Sequence, residues 1–205
     1  LLEAIHEKVL LAGGHPFVQI GSDAMNEAFF RCASDEQLAF VSPITQFSVD
    51  KIDASFGVWG DENTKSLTNV DPHKQSLASQ ARKPWLKRFL ERAAKGELRW
   101  VGTQFPTHSA AQDAEMSLHE YEDFVYGASH VDGPDPVAYW RGISADQQRL
   151  VDWMRPHDQV VIRGPNVDLT LSVKGRRFIN ADGQRNMPDG EIFTGPVEDS
   201  VNGWV

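Results

Sequence analysis

The feature that most constrains this chain is a change of rhythm near Pro156. Before it, short apolar segments that read as strands alternate with longer segments of helical period. After it, "QVVIRG", "VDLTLSV" and "RRFINAD" follow one another directly. Strands separated by helices pair in parallel and bury both faces, because each crossover lays a helix against the sheet. In the later stretch Val167, Leu169, Leu171 and Val173 alternate with Asp168, Thr170 and Ser172, the mark of a half-buried sheet of antiparallel type. The expected fold class is therefore α/β, a mostly parallel sheet flanked by helices, followed by the first strands of a β-rich domain. The boundary is expected at residues 156–157, giving an α/β domain over 1–156 and a second domain beginning at 157.

Local signals place the elements. Leu2, Ile5, Val9 and Leu10 form a helical stripe closed by "AGG". "PFVQI" (16–20) reads as a short buried strand, and "GSDAMNEAFFRCASDEQLAFV" as one helix with Ser22 or Asp23 at its N-cap. "DASFGVWG" (53–60) and "LRWVGTQFP" (98–106) read as strands on either side of a helix with Asp71 as N-cap and Pro72 at its first position. Pro84 is expected to break or restart that helix, and Gly96 to end it. Two more helical stretches follow, starting at Ser109 and Asp135. "KG" at 174–175 is expected to make a hairpin turn.

Composition narrows the function. A formal net charge of −9 over 205 residues argues against nucleic acid and anionic membranes as partners. One cysteine excludes a disulfide framework and fits a reducing compartment. No apolar run approaches the roughly 20 residues that span a bilayer, and the N-terminal segment has the charge pattern of an amphipathic helix rather than a signal peptide. These points lead to the expectation of a soluble, cytoplasmic protein whose natural N-terminus lies further upstream.

The motifs that would define a nucleotide fold or a serine hydrolase, Gly-x-Gly-x-x-Gly, a phosphate loop and Gly-x-Ser-x-Gly, are absent. Cys32, among large apolar neighbours in "EAFFRCA", is expected to be an inert buried thiol. "HEYED" (119–123) resembles a zinc helix until its fifth residue, which is Asp123 and not a second histidine. A solvated acidic helix face explains it better. The basic run from Arg82 to Lys95 surrounds Trp85/Phe89 and Leu86/Leu90, i,i+4 pairs that suggest a core-facing stripe with a wet opposite face.

One segment does not reduce to turns and surface. Asp182, Asp189, Glu191, Glu198 and Asp199 crowd the last stretch, and Asp-Gly turns at 182–183 and 189–190 explain the aspartates. Glu191 is different, because it opens a strand that continues Ile-Phe-Thr. A carboxylate on a strand just past a Pro-Asp-Gly turn is well placed to be a metal ligand, though a plain strand residue remains the other reading.

"NMPDGEIFTGPVEDSVNG" (186–203) resembles a motif of the aminopeptidase T family of metallopeptidases. "RWVGTQFPTHSAAQDAEMSLHEYEDFVYGA" (99–128) and "GPNVDLTLSVKGRRFINADG" (164–183) agree with it, whereas the match before residue 60 is looser. The resemblance implies an enzyme that removes N-terminal, leucine-type residues from peptides with two divalent metal ions, Zn, Co or Mn. It implies peptide substrates, a homodimer, and Glu191 as a metal ligand. The further ligands it implies, and the general base, are expected beyond Val205, so that the chain is expected to be an inactive fragment with no catalytic residue assigned. A non-catalytic binding module on the same α/β scaffold is the alternative. A weaker third reading is a different metal-dependent hydrolase.

Overall fold

The computed structural model describes residues 1–205. The chain resolves into two compact units, Leu1–Phe124 and Val125–Val205. The divide falls earlier than the change of rhythm near Pro156. The reason is the helix α8 (Pro136–Met154), whose Val151 is buried with Val173 and Phe178 of the strand-rich segment.

In the first unit the helices precede, connect and follow two parallel strands. Helix α1 (Leu2–Leu11) ends where Gly13 takes a left-handed backbone, φ 79°. Helix α2 (Asp23–Cys32) starts from Ser22, whose hydroxyl accepts from Met25 N–H. It stops at Ala33, and α3 (Asp35–Leu38) begins anew, because Ser34 and Gln37 form a reciprocal capping box. The single helix expected here is thus two. Phe30 and Leu38 are buried with Ala78, while Cys32 points away from that cluster and is exposed. The expectation of a buried thiol is wrong, because the apolar neighbours of Cys32, not Cys32 itself, occupy the inner face.

"PFVQI" is also not a strand. It runs without regular structure, with Phe17 76% and Ile20 79% exposed; strand-forming residues become a strand only where a partner supplies the ladder. Helix α4 (Pro43–Lys51), which the sequence reading passes over, carries a recognisable start in Ser42 and Pro43.

Strands β1 (Ala54–Trp59) and β2 (Arg99–Gln104) pair in parallel, Ala54 opposite Arg99 through Trp59 opposite Gln104. The crossover between them is α5 (Pro72–Ala94), capped by Asp71 as expected. It runs unbroken through Pro84 for 23 residues. Pro84 is on the exposed side, where the carbonyl it leaves without an N–H partner can be hydrated. On this helix Trp85 stacks on Phe89 at 5.8 Å, but Leu86 and Leu90 are about half exposed, at 48% and 49%. Only the aromatic pair is the inner stripe. Helices α6 (His108–Asp113) and α7 (Leu118–Ala128) are separated at Glu115, a non-glycine residue with φ 57°.

The second unit holds α8 and the successive strands. β3 (Gln159–Gly164) and β4 (Val167–Ser172) form an antiparallel hairpin turning at Pro165–Asn166. Val173, which ends the alternating run, is 2% exposed. β5 (Ile179–Ala181) pairs antiparallel with β7 (Glu191–Phe193), and the two-residue strand β6 (Asn186–Met187) lies between them in sequence. A 3₁₀ turn at Glu198–Ser200 leads to β8 (Asn202–Trp204), which pairs with β4. Gly175 does adopt a turn conformation, φ 70°. It does not close a hairpin, since β4 and β5 belong to different sheets. No helix is long and apolar enough to cross a membrane.

Candidate functional site

The acidic residues of 182–199 separate by what holds them. Asp182 accepts from Ser144 Oγ at 2.6 Å and from the Gln184 side-chain amide. Asp189 accepts from Gly183 N–H at 2.9 Å. Glu198 pairs with Arg176 at 2.6 Å; the backbone N–H it accepts from, and then the guanidinium, hold its carboxyl below the usual range. Asp182, Asp189 and Glu198 are turn and surface residues, as their Asp-Gly and loop contexts suggest.

Asp199 lies exposed in the 3₁₀ turn with no partner for its carboxylate, and Glu191 differs from it in being held on a strand. Glu191 is the first residue of β7 and is exposed. Its carboxylate has no hydrogen bond or ion pair, while its backbone is well anchored. Glu191 lies opposite Ala181 in the short ladder. Just before it, Gly190 has φ 114° and donates its N–H to Ala181 O at 3.1 Å. Gln147 of α8 donates its side-chain amide to Glu191 O at 2.7 Å. The indole of Trp140 lies under the turn. A Cβ placed on Gly183 would come within 3.0 Å of it, and one on Gly190 within 3.9 Å. Beside this turn is an open cleft of about 280 Å³ lined by His130, Tyr139, Trp140, Ile143 and Gln147. The His130 imidazole stacks on the Tyr139 ring, their centroids 3.6 Å apart.

Whether these residues suit a metal follows from the donor set. Glu191 is an unpaired, solvent-facing anion, which fits one ligand of a divalent cation. No three His, Cys, Asp or Glu side chains gather around it or elsewhere in the chain. The residues present therefore fit one ligand of a site and do not complete one, since catalytic centres of this type usually take three protein ligands and keep an open position.

His119 and Asp123 do meet, at 3.8 Å, but with side chains 84% and 73% exposed they form a surface pair. The role of "SLHE" is local. Ser117 Oγ accepts from Glu120 N–H at 3.2 Å, and Glu120 accepts from Ser117 N–H at 2.9 Å, a capping box that starts α7. The basic run also has a structural member. Arg92 is 8% exposed and donates to Val49 O and Ile52 O at the end of α4, at 2.7 and 2.8 Å, and to Glu97. Sequence reasoning missed Gln147 and Trp140, because neither lies near Glu191 in sequence and helical spacing marks only their place on α8.

The fold alone defines an α/β protein in which a parallel pair crossed over by a long helix precedes antiparallel strands. Its architecture is shared with wild-type AmpT from Thermus thermophilus, with a TM-score of 0.76 at 20% identity, over 98% of this chain and 55% of that one. In sequence it is 26% identical over 160 residues to Aminopeptidase 2 of Geobacillus stearothermophilus, covering 70% of this chain and 39% of that protein. The chain thus spans about half the length of the relatives it matches, or less. Residues 1–205 match the family model of the thermophilic metalloproteases (M29) throughout. The chain belongs to the M29 thermophilic metalloprotease family.

Proposed function

We propose that the whole protein is a metal-dependent aminopeptidase that removes N-terminal, leucine-type residues from peptides, and that Glu191 contributes one ligand to its metal centre. The observation that carries this reading is the presentation of Glu191: its free carboxylate stands at the head of a strand whose backbone is held both by the ladder with β5 and by Gln147. Family membership supports a metallopeptidase, and the names of its relatives support removal of N-terminal residues. Two divalent ions, zinc, cobalt or manganese, are the proposed complement, because carboxylate and imidazole ligands accept all three. The resemblance extends the proposal to a homodimer; the single cysteine extends it to the cytoplasm, and the change of strand rhythm to a catalytic domain beginning near residue 157.

When bound, such ions polarise a scissile carbonyl and make water acidic enough to act as a nucleophile at neutral pH. What this chain itself contributes is narrower. Glu191 supplies negative charge at a defined place, and the α8 residues hold the turn that presents it. With one ligand, residues 1–205 by themselves are expected to show no metal-stimulated peptidase activity.

The test is hydrolysis of leucyl-p-nitroanilide by the whole protein, with and without a chelator, for the native sequence and Glu191→Ala. The expected result is chelator-sensitive release restored by cobalt or zinc. In the variant, activity should fall by about 100-fold or more, with weakened metal binding. Full activity and metal affinity in Glu191→Ala would remove Glu191 from the site. The alternative is a non-catalytic binding module on the same α/β scaffold; the absence of any chelator-sensitive turnover by the whole protein would favour it.

A further inference from the structure

We infer that Gln147 is a positioning residue for Glu191: its side-chain amide sets the backbone from which the carboxylate is presented, and so sets the affinity of the metal centre. The inference rests on the reading of Glu191 as a metal ligand.

The geometry is specific. Gln147 Nε2 lies between two carbonyls on neighbouring strands, Glu191 O at 2.7 Å and Ala181 O at 3.3 Å. These residues face each other in the ladder of β5 and β7. One side-chain amide therefore ties both strands to α8 at the rung that carries the carboxylate. This rung needs an external tie. The ladder is three residues long, and isolated pairs of that size are not stable alone. Beyond the rung the chain enters the Gly190 turn, where φ is 114°. A glycine in that position leaves the turn intrinsically mobile unless its neighbours are held.

The hydrogen bond at Glu191 O orients the peptide plane on the C-terminal side of the Glu191 Cα. Gly190 N–H, bonded to Ala181 O at 3.1 Å, anchors the preceding turn. The carboxylate then moves only through its own side-chain torsions. Less freedom is lost when a cation binds, which is how groups behind a metal ligand raise affinity without touching the metal. The carbonyl of the same amide, Gln147 Oε1, is buried and has no hydrogen-bond partner. A buried amide oxygen left without a partner is a cost. The donor end is the part of the side chain that is engaged, and it spans the rung between Ala181 O and Glu191 O. Gln147 lies on α8, whose neighbouring residues Trp140 and Ser144 address other parts of the turn, and Gln147 is the one that reaches Glu191.

The test uses the whole protein, with zinc and cobalt as probes. Metal affinity is measured by competition with a chelator, and the visible absorption of bound Co(II) reports coordination geometry. Gln147→Met keeps the length of the side chain and removes its donor; Gln147→Asn keeps the amide and withdraws it by one methylene. Each is expected to weaken metal affinity about 10-fold or more and to alter the Co(II) spectrum. The metal-free protein should stay folded, and kcat should fall more than KM rises. Glu191→Gln, run alongside, should weaken affinity further. If Glu191→Gln weakens binding while both Gln147 variants bind metal normally, the positioning role is wrong and the ligand reading stands. If Glu191→Gln itself leaves affinity unchanged, the ligand reading fails and the inference with it. Should Gln147→Met not fold, the milder Gln147→Asn decides by the same two readouts.

Discussion

At the residue scale, the difference between a charge on the surface and a charge in the framework lies in what its polar atoms reach. Arg88 and Arg92 stand one helical turn apart in the same basic run. Arg88 makes a half-exposed pair with Asp50 at 2.7 Å, and such pairs contribute little. Arg92 is buried and satisfies two carbonyls at the end of α4, orphans that the helix itself cannot bond. Arg92→Met should therefore destabilise the protein by about 3 kcal/mol, because both carbonyls and the Glu97 contacts lose their donor together. Denaturant unfolding measures this directly, and a loss under about 0.5 kcal/mol would mean that water replaces the guanidinium without cost. The sequence shows Arg92 as one cation among several, and nothing in its spacing sets it apart.

Helix starts in this chain carry local signals, expected at Ser22 and Asp71 and overlooked at Ser34, Ser42 and Thr107. Ser22, Ser34, Ser42, Asp71, Thr107 and Asp135 each cap a helix with their own side chain, and side-chain capping is a local interaction legible without a fold. Continuity is not local in the same way. Pro84 interrupts nothing, because it faces water, whereas Ala33 and Glu115 end helices that periodicity alone would continue. The Ser117–Glu120 box explains the second break: it starts a new helix close behind α6. Ser117→Ala should cost about 1 kcal/mol and fray the first turn of α7, seen as faster amide exchange at Leu118–Glu120. Unchanged exchange there would show that tertiary packing alone starts the helix.

For the molecule as a whole, acid is the condition that loosens it. Asp113 is held below its usual range by the Thr64 hydroxyl and then by Lys65. Glu120 is held low by the Ser117 backbone N–H and its hydroxyl, and Glu198 by a backbone N–H and Arg176. For each, the folded pKa lies below the unfolded one, so the stabilisation is complete above the unfolded carboxylate range. It disappears as pH falls through the lower folded values. Stability should stay flat from neutrality to about pH 5 and decline below about pH 4. The three groups are solvent-exposed, so the decline should weaken in high salt. An acid titration followed by circular dichroism checks this, and a loss of stability already under way at pH 6 would point to buried histidines instead.

What the sequence determined by itself is what depends on near neighbours and on pattern. The α/β order, the change to alternating strands after Pro156, the caps at Ser22 and Asp71, and Glu191 as the acid that turns cannot explain are all of this kind. Only the tertiary structure decided which apolar residues lie inside. Phe17, Ile20, Leu86 and Leu90 are as apolar as Leu38 and Leu98, yet the first four are exposed and the last two are buried to 2%. Burial depends on a facing surface, which periodicity does not specify. The same holds for the support behind Glu191. Gln147 lies 44 residues away in sequence and 2.7 Å away in space, because a strand of three residues takes its place from the helix it packs against.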